Sequence, residues 1–178
     1  MGGGSNYLVR TTFKNRKEIL IMANGSNTLT GVTGEYFVCA ELGKRGILAL
    51  LTPKNNPLFD IVAVSPDASR SVTIQVKSMG LKNEQGWKLN KQITQRKNNP
   101  SLFLILVNLK QTGICDFYIY QYDELVDKVN EFYNRYINQE KRNGEKRKEV
   151  GFRWFDLKMF TEEDHSRKNN WEILGFKA

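Results

Sequence analysis

Residues 59–77 read FDIVAVSPDASRSVTIQVK, which is two apolar runs joined by a polar turn. The runs 58–64 and 72–77 are rich in Val and Ile, a composition typical of β-strands. Residues 65–70 between them contain Ser, Pro and Asp, which favour a turn. We therefore predict a β-hairpin, and the polar residues within its strands are the feature that needs a chemical explanation.

Three polar side chains interrupt the apolar strands of this hairpin. If the strands pair symmetrically about the turn, Asp60 lies opposite Gln75. Because side chains alternate along a strand, Thr73, Gln75 and Lys77 share one face. We expect Asp60, Gln75 and Lys77 to form one polar cluster on an otherwise apolar sheet. A shift of one residue in the pairing would turn Asp60 to the opposite face.

The residue types in this cluster suit metal-dependent hydrolysis. Carboxylate and amide oxygens are hard ligands that bind Mg²⁺ or Mn²⁺, with substrate phosphates completing the coordination. A neighbouring lysine can orient or deprotonate the attacking water and stabilise charge on the phosphate. These are the parts of a phosphodiester hydrolase. The spacing fits equally well with an Asp–Lys ion pair and a hydrogen-bonded Gln on a half-exposed sheet.

The preceding segment predicts a helix followed by a strand. Apolar residues between Thr33 and Gly43 recur with helical spacing, with Thr33 as the N-cap and Gly43 as the end. Glu35 then lies in the first turn, where a carboxylate also interacts favourably with the helix dipole. That interaction is a purely structural alternative for Glu35. Residues 47–52 form a short apolar run that predicts a buried strand.

The order of these elements resembles the restriction-endonuclease-like, PD-(D/E)xK nuclease superfamily. The matching motifs are Gly34-Glu35, the turn 43–46, Phe59-Asp60-Ile61 and Gln75-Val76-Lys77. The first three are similar to the archaeal Holliday-junction resolvase pattern, and the Gln-x-Lys form is similar to that of methylation-dependent restriction enzymes. The resemblance covers about residues 30–78, under a third of the chain.

The resemblance implies an α/β fold with a mixed central β-sheet flanked by helices, and a Mg²⁺- or Mn²⁺-dependent DNA endonuclease activity. It assigns metal binding to Asp60, Gln75 and the backbone carbonyl of Val76. Lys77 matches the catalytic lysine, and Glu35 matches the helical glutamate that holds a metal ion or a water molecule. All four side chains are therefore expected in the catalytic site.

Two residues depart from the family pattern. Phe59 precedes Asp60 where the family has proline, although Pro57 is close by. Gln75 replaces an acidic ligand, which lowers the negative charge of the site. A non-catalytic DNA-binding module that retains the fold is thus one alternative function. A structural or interaction protein with an internal salt-bridge network is another.

The charge of the chain favours an acidic partner. The sequence has 27 Lys and Arg against 19 Asp and Glu, a formal net charge of +8. We expect DNA contacts from basic and amide residues that flank the proposed site or follow the Gln-x-Lys strand. They are Lys44, Arg45, Lys54, Asn55, Lys88, Lys91 and Arg96. The basic segment 141–148 fits a solvated loop as well as a phosphate contact.

Length and composition predict one folded domain. We assign residues 1–27 to a partly flexible N-terminal extension and residues 28–178 to a single nuclease-like domain. The two cysteines belong to no metal-binding motif, and no segment has the features of a membrane span or a signal peptide, so we expect a cytoplasmic protein that does not bind a membrane. Many nucleases of this class act as dimers so that two sites reach both strands, and a homodimer is an open alternative.

The remaining patterns predict scaffold elements. Residues 101–109 predict a buried strand, with residues 116–120 as its neighbour. Apolar residues after Asp123, taken as an N-cap, recur with helical spacing and predict a helix packed on the sheet. Residues 86–89 predict an extension of the sheet, and Thr161 predicts the start of a short helix.

Overall fold

A mixed five-stranded sheet forms the centre of the fold. The computed structural model describes residues 16–53, 56–80, 83–110 and 114–176, with side chains described from residue 28 onward. The strands are β1 (Leu48–Leu51), β2 (Ile61–Val64), β3 (Ser71–Met79), β4 (Gly86–Asn90), β5 (Leu102–Asn108), β6 (Asp116–Gln121) and β7 (Phe152–Asp156). The central sheet has the order β1-β2-β3-β5-β6, in which β3 and β5 are parallel and the other neighbours are antiparallel.

Helices cover both faces of this sheet. The helices are α1 (Arg16–Lys44), α2 (Tyr122–Ile137) and α3 (Glu162–Ser166), with short 3₁₀-helices at Lys91–Thr94, Leu157–Met159 and Trp171–Leu174. Val38 and Leu42 of α1 are buried against the face of β3 that carries Ile74 and Val76. The apolar stripe of α2 packs on the other face. The predicted fold class, a mixed central sheet flanked by helices, is confirmed.

The predicted hairpin has the predicted register. β2 pairs with β3 from Ile61 opposite Ile74 to Val64 opposite Ser71. Asp60 lies just outside this ladder, and its N–H also donates to the carbonyl of Ile74, so the regular register does not extend to the expected pair of Asp60 and Gln75. The alternation of Val72, Ile74 and Val76 toward the α1 face is also as expected. The turn composition between two Val/Ile runs was sufficient to fix this pairing because only one register buries the apolar face.

Two predicted helix starts were wrong. α1 begins at Arg16, so Thr33 lies inside the helix and Glu35 is not in its first turn. The interaction of Glu35 with a helix N-terminus therefore does not apply. α2 is capped by Gln121, whose side-chain oxygen accepts hydrogen bonds from the N–H groups of Asp123 and Glu124. Asp123 does not cap α2. Its carboxylate instead accepts hydrogen bonds from the N–H groups of Lys97 and Asn98.

β4 does not extend the central sheet. It pairs with β7 in a separate two-stranded antiparallel sheet, with Trp87 opposite Phe155. Both of these side chains are buried in the core layer that also contains α2. The strand predicted at 86–89 is thus correct, and its partner comes from a distant segment.

No helix in the described part of the chain is long and apolar enough to cross a membrane.

A buried carboxylate fastens α3 to the sheet. Asp164 is fully buried, accepts hydrogen bonds from Tyr120 Oη at 3.0 Å and Thr161 N at 2.9 Å, and pairs with Lys128 Nζ at 2.9 Å. Burial by itself raises the pKa of Asp164, but the hydrogen bonds from Thr161, Lys128 and Tyr120 outweigh it and hold the pKa below its ordinary value of 3.8. Thr161 is the N-cap of α3, as predicted.

Candidate active site

Asp60 lies at a bend where β1, β2 and β3 meet. Its N–H donates to the carbonyl of Ile74 at 2.9 Å, and its carbonyl accepts from Thr52 N at 2.9 Å. The carboxylate oxygen Oδ2 accepts a hydrogen bond from the N–H of Val76 at 2.7 Å. The other oxygen, Oδ1, accepts no hydrogen bond from any described residue. Asp60 is therefore held by backbone contacts on both sides, with one oxygen available to a ligand.

Glu35 of α1 faces the same cavity as Asp60. The cavity measures about 360 Å³ and is also lined by Tyr36, Leu51 and Thr52. Two carboxylates thus border one half-enclosed space at the end of β1. The sequence motif Gly34-Glu35 and the bend at Asp60 are brought together by the packing of α1 on the sheet.

Gly34 allows this close approach of α1 to β3. A Cβ atom at Gly34 would lie 1.9 Å from Ser78 Oγ and 3.1 Å from Ser78 Cβ. A larger residue would force the Ser78 side chain or the helix to move. Ser78 directly follows Lys77, so the glycine fixes the distance between the helix that carries Glu35 and the strand that carries the Gln-x-Lys motif.

Gln75 and Lys77 face a second, larger cavity. Together with Thr73 they line a groove of about 650 Å³ on the face of β3 opposite α1. Asp60 does not line this groove. The expected single cluster on one face is therefore divided, because the bend at Asp60 breaks the side-chain alternation and turns Phe59 into the core layer of α2. The two halves adjoin at Val76, the residue between Gln75 and Lys77.

The donor set fits a hard divalent cation. Among the described residues, no group of three His, Cys, Asp or Glu side chains could hold a metal ion. The cavity of Asp60 and Glu35 offers two carboxylates, and the amide oxygen of Gln75 lies in the adjoining groove. Oxygen donors with two negative charges match Mg²⁺ or Mn²⁺ and do not match zinc.

A bacterial homing endonuclease, I-Ssp6803I, has a similar fold. Its structure superposes with a TM-score of 0.51 over 84% of this chain and 93% of that chain, at 14% sequence identity. At this identity the likeness extends to the fold alone. No protein-family model matches the chain, and no curated protein matches it.

The cysteines are unsuited to nucleophilic catalysis. Burial, reinforced by the charge of Glu35, raises the pKa of the Cys39 thiol. Burial likewise raises the pKa of Cys115. Both cysteines are free thiols. A neutral thiol is a poor nucleophile, and Cys39 is partly buried while Cys115 is buried, so covalent cysteine chemistry does not explain this site.

Several of the expected DNA contacts are engaged in ion pairs. Lys44 and Arg45 both pair with Glu41, at 2.9 Å and 2.7 Å. Lys44, the last residue of α1, lies about 14 Å along the helix from Glu35, at nine residues and 1.5 Å per residue, and Arg45 follows it. The structure therefore does not bring these two residues to the candidate site.

The predicted DNA contacts that follow β3 differ in the residues that they touch. Lys91 Nζ pairs with Glu149 at 2.7 Å, and Arg96 pairs with Asp127 on α2. Lys88 is exposed on β4 and lies over the ring of Phe152 at 4.2 Å. The predicted contacts Lys54 and Asn55 lie outside the described residues.

The segment after β3 was predicted to contact DNA, but the three named contacts, Lys88, Lys91 and Arg96, do not line the groove beside Gln75 and Lys77. Other side chains of segment 89–99 face it. The polar ones are Asn90, Gln92, Gln95, Lys97 and Asn99. Their signal in the sequence is the high amide content of this stretch, which is also typical of an ordinary surface loop. Their common orientation depends on long-range contacts that sequence periodicity does not encode.

Proposed function

We propose that this protein is a metal-dependent DNA endonuclease of the PD-(D/E)xK type. The observation that supports it best is the arrangement around Val76. Its N–H holds the Asp60 carboxylate at 2.7 Å, Glu35 faces the same cavity as Asp60, and Gln75 and Lys77 flank Val76 on β3. This is the residue order that the superfamily resemblance requires.

Each residue has a role that follows from its chemistry. The carboxylates of Asp60 and Glu35, which line one cavity, would hold Mg²⁺ or Mn²⁺ with the Val76 carbonyl, and the Gln75 amide oxygen would turn from the neighbouring groove to join them. Such an ion, when bound, supplies Lewis acidity to a water molecule and to a phosphate oxygen. Lys77 orients the attacking water through its ammonium donors and offsets the negative charge that develops on the phosphate.

DNA is the substrate that the charge and the fold favour. The net charge of +8 attracts a polyanion, and the fold is shared with an endonuclease. A homodimer would bring two such sites to the two strands of one duplex. This assembly is part of the proposal, as is the Mg²⁺ or Mn²⁺ requirement.

The identity of Gln75 favours one alternative function. A neutral amide in place of a carboxylate leaves two charged ligands, which lowers the affinity for a divalent cation. In that case the fold serves as a non-catalytic DNA-binding module. A structural or interaction protein is the third candidate function.

DNA cleavage and binding distinguish the three functions. Supercoiled and branched DNA are incubated with the protein in Mg²⁺, Mn²⁺ or EDTA, together with Asp60→Ala and Lys77→Ala. Glu131→Ala and Lys158→Ala, two exposed residues remote from the site, serve as matched charge-loss controls. Metal-dependent cleavage that is lost in the first pair and kept in the controls supports the endonuclease. Salt-sensitive binding without cleavage supports the binding module. The absence of both binding and cleavage supports the structural function.

A further inference from the structure

The groove beside Gln75 and Lys77 is lined by many polar side chains besides these two. Its volume is about 650 Å³, and one wall is β3 while the other is the segment 89–99. Four amide side chains of that segment and the ammonium of Lys97 face it. A concave surface with this many donors and acceptors is suited to a polar, anionic ligand.

Three polar side chains of the groove have no hydrogen-bond or ion-pair partner in the described part of the chain. The side chains of Gln92, Gln95 and Lys97 make no hydrogen bond or ion pair with any other described residue. Their neighbours behave differently, since Lys91 and Arg96 are both held in ion pairs outside the groove. The unpaired side chains are therefore those that point toward the space beside Lys77.

The backbone that carries these side chains is firmly anchored. The Asp123 carboxylate accepts hydrogen bonds from the N–H groups of Lys97 and Asn98, at 2.7 Å and 2.8 Å. Ile93 is buried in the core layer of α2, and Asn130 Nδ2 donates to the carbonyl of Thr94 at 3.2 Å. A fixed frame of this kind allows side chains to discriminate between ligands, because little ordering is needed on binding.

We propose that this groove determines the DNA sequence preference of the enzyme. Lys97 contacts a phosphate of the strand whose neighbouring phosphate lies at Lys77, and Gln92 and Gln95 hydrogen-bond to the edges of the adjacent bases. A glutamine amide can pair with adenine through both its donor and its acceptor. This inference rests on the proposed function, because it takes DNA as the molecule that reaches Lys77.

Binding selection in EDTA tests the inference separately from cleavage. Randomised duplex DNA is selected on the wild-type protein and on Gln92→Ala, Gln95→Ala and Lys97→Ala. Gln139→Ala, an exposed glutamine outside the groove, is the matched control. Circular dichroism checks that each exposed-residue variant is folded.

The expected result is an enriched motif for the wild type and the control. Each glutamine variant should lose preference at one or two adjacent positions, by about 5- to 150-fold. Lys97→Ala should weaken all sequences similarly and reduce the salt dependence of binding by about one phosphate contact. The inference is overturned if the wild type enriches no motif, or if both glutamine variants keep the wild-type motif. Absence of cleavage in Mg²⁺, by contrast, contradicts only the proposed function.

Discussion

Replacing Gly34 by alanine tests how α1 is positioned on the sheet. The new Cβ would lie 1.9 Å from Ser78 Oγ and 3.1 Å from Ser78 Cβ, so the helix or the serine must move. Overpacking of this kind costs about 1–3 kcal/mol, while alanine gains about 1 kcal/mol over glycine in a helix. We expect Gly34→Ala to lower the free energy of unfolding by about 1 kcal/mol.

The same helix provides a matched control for this substitution. A Cβ at Gly31 would have nothing within 4 Å, so Gly31→Ala should raise the free energy of unfolding by about 1 kcal/mol. Ser78 Oγ is buried and has no hydrogen-bond partner among the described residues, so Ser78→Ala should be neutral or stabilising. In that background Gly34→Ala should lose most of its penalty, because only the 3.1 Å contact remains.

Urea unfolding followed by circular dichroism measures all of these variants. The two alanine substitutions should differ by about 2 kcal/mol in the wild-type background and by clearly less in the Ser78→Ala background. If Gly34→Ala is as stabilising as Gly31→Ala, or if its penalty is unchanged without the Ser78 hydroxyl, the contact does not set the position of α1.

Other substitutions test the scaffold and the site. Asp164→Asn should cost about 3 kcal/mol because it removes the buried partner of the largely buried Lys128, which then keeps only the exposed Glu163 as a counter-charge. In thermal melts the loss of stability relative to the wild type should be full above pH 3.8 and should become smaller as the pH falls through the lowered pKa of Asp164. A loss of stability that does not depend on pH would contradict the charge argument. Gln75→Glu should lower the Mg²⁺ concentration for half-maximal cleavage by roughly tenfold, and an unchanged titration would exclude Gln75 as a ligand. Arg96→Ala should leave the midpoint of denaturant titrations close to that of the wild type, since its ion pair is exposed, and a clear shift of the midpoint would contradict this.

The hairpin and its register were predictable because local signals agreed. Two β-branched runs, a Pro-Asp turn and a single register that buries the apolar face all lead to Ile61 opposite Ile74. The pairing of residues 116–120 with the buried strand before them was predictable for the same reason. These elements are close in sequence and have strong periodicity.

The start of α1 and the orientation of Asp60 were not predictable from local patterns. Thr30, Gly31 and Thr33 have weak helix propensity, yet they lie inside α1, where the packing of Val38 and Leu42 on the sheet outweighs propensity. Period-two alternation also fails at a bend, so the division of the polar residues between two cavities had no signal in the sequence.

Contacts between distant segments shape the groove and were beyond sequence reasoning. β4 pairs with β7 more than 60 residues later, with Gly86 opposite Asp156. Asp123, which follows a strand and precedes a helical pattern, has the composition of an N-cap. Its carboxylate instead fixes the backbone of Lys97 from 26 residues away. Such side-chain-to-backbone contacts depend on the finished tertiary structure.

Single-turnover cleavage by Asp60→Asn tests the central claim most directly. Asparagine keeps an oxygen that can accept the Val76 N–H, so the fold and the DNA-binding surface should be retained while the charge is lost. With excess protein on a labelled duplex in Mg²⁺, we expect cleavage to slow by about 10³-fold, with binding in EDTA within about twofold of the wild type. Cleavage by Asp60→Asn at a near wild-type rate would contradict the assignment of this site.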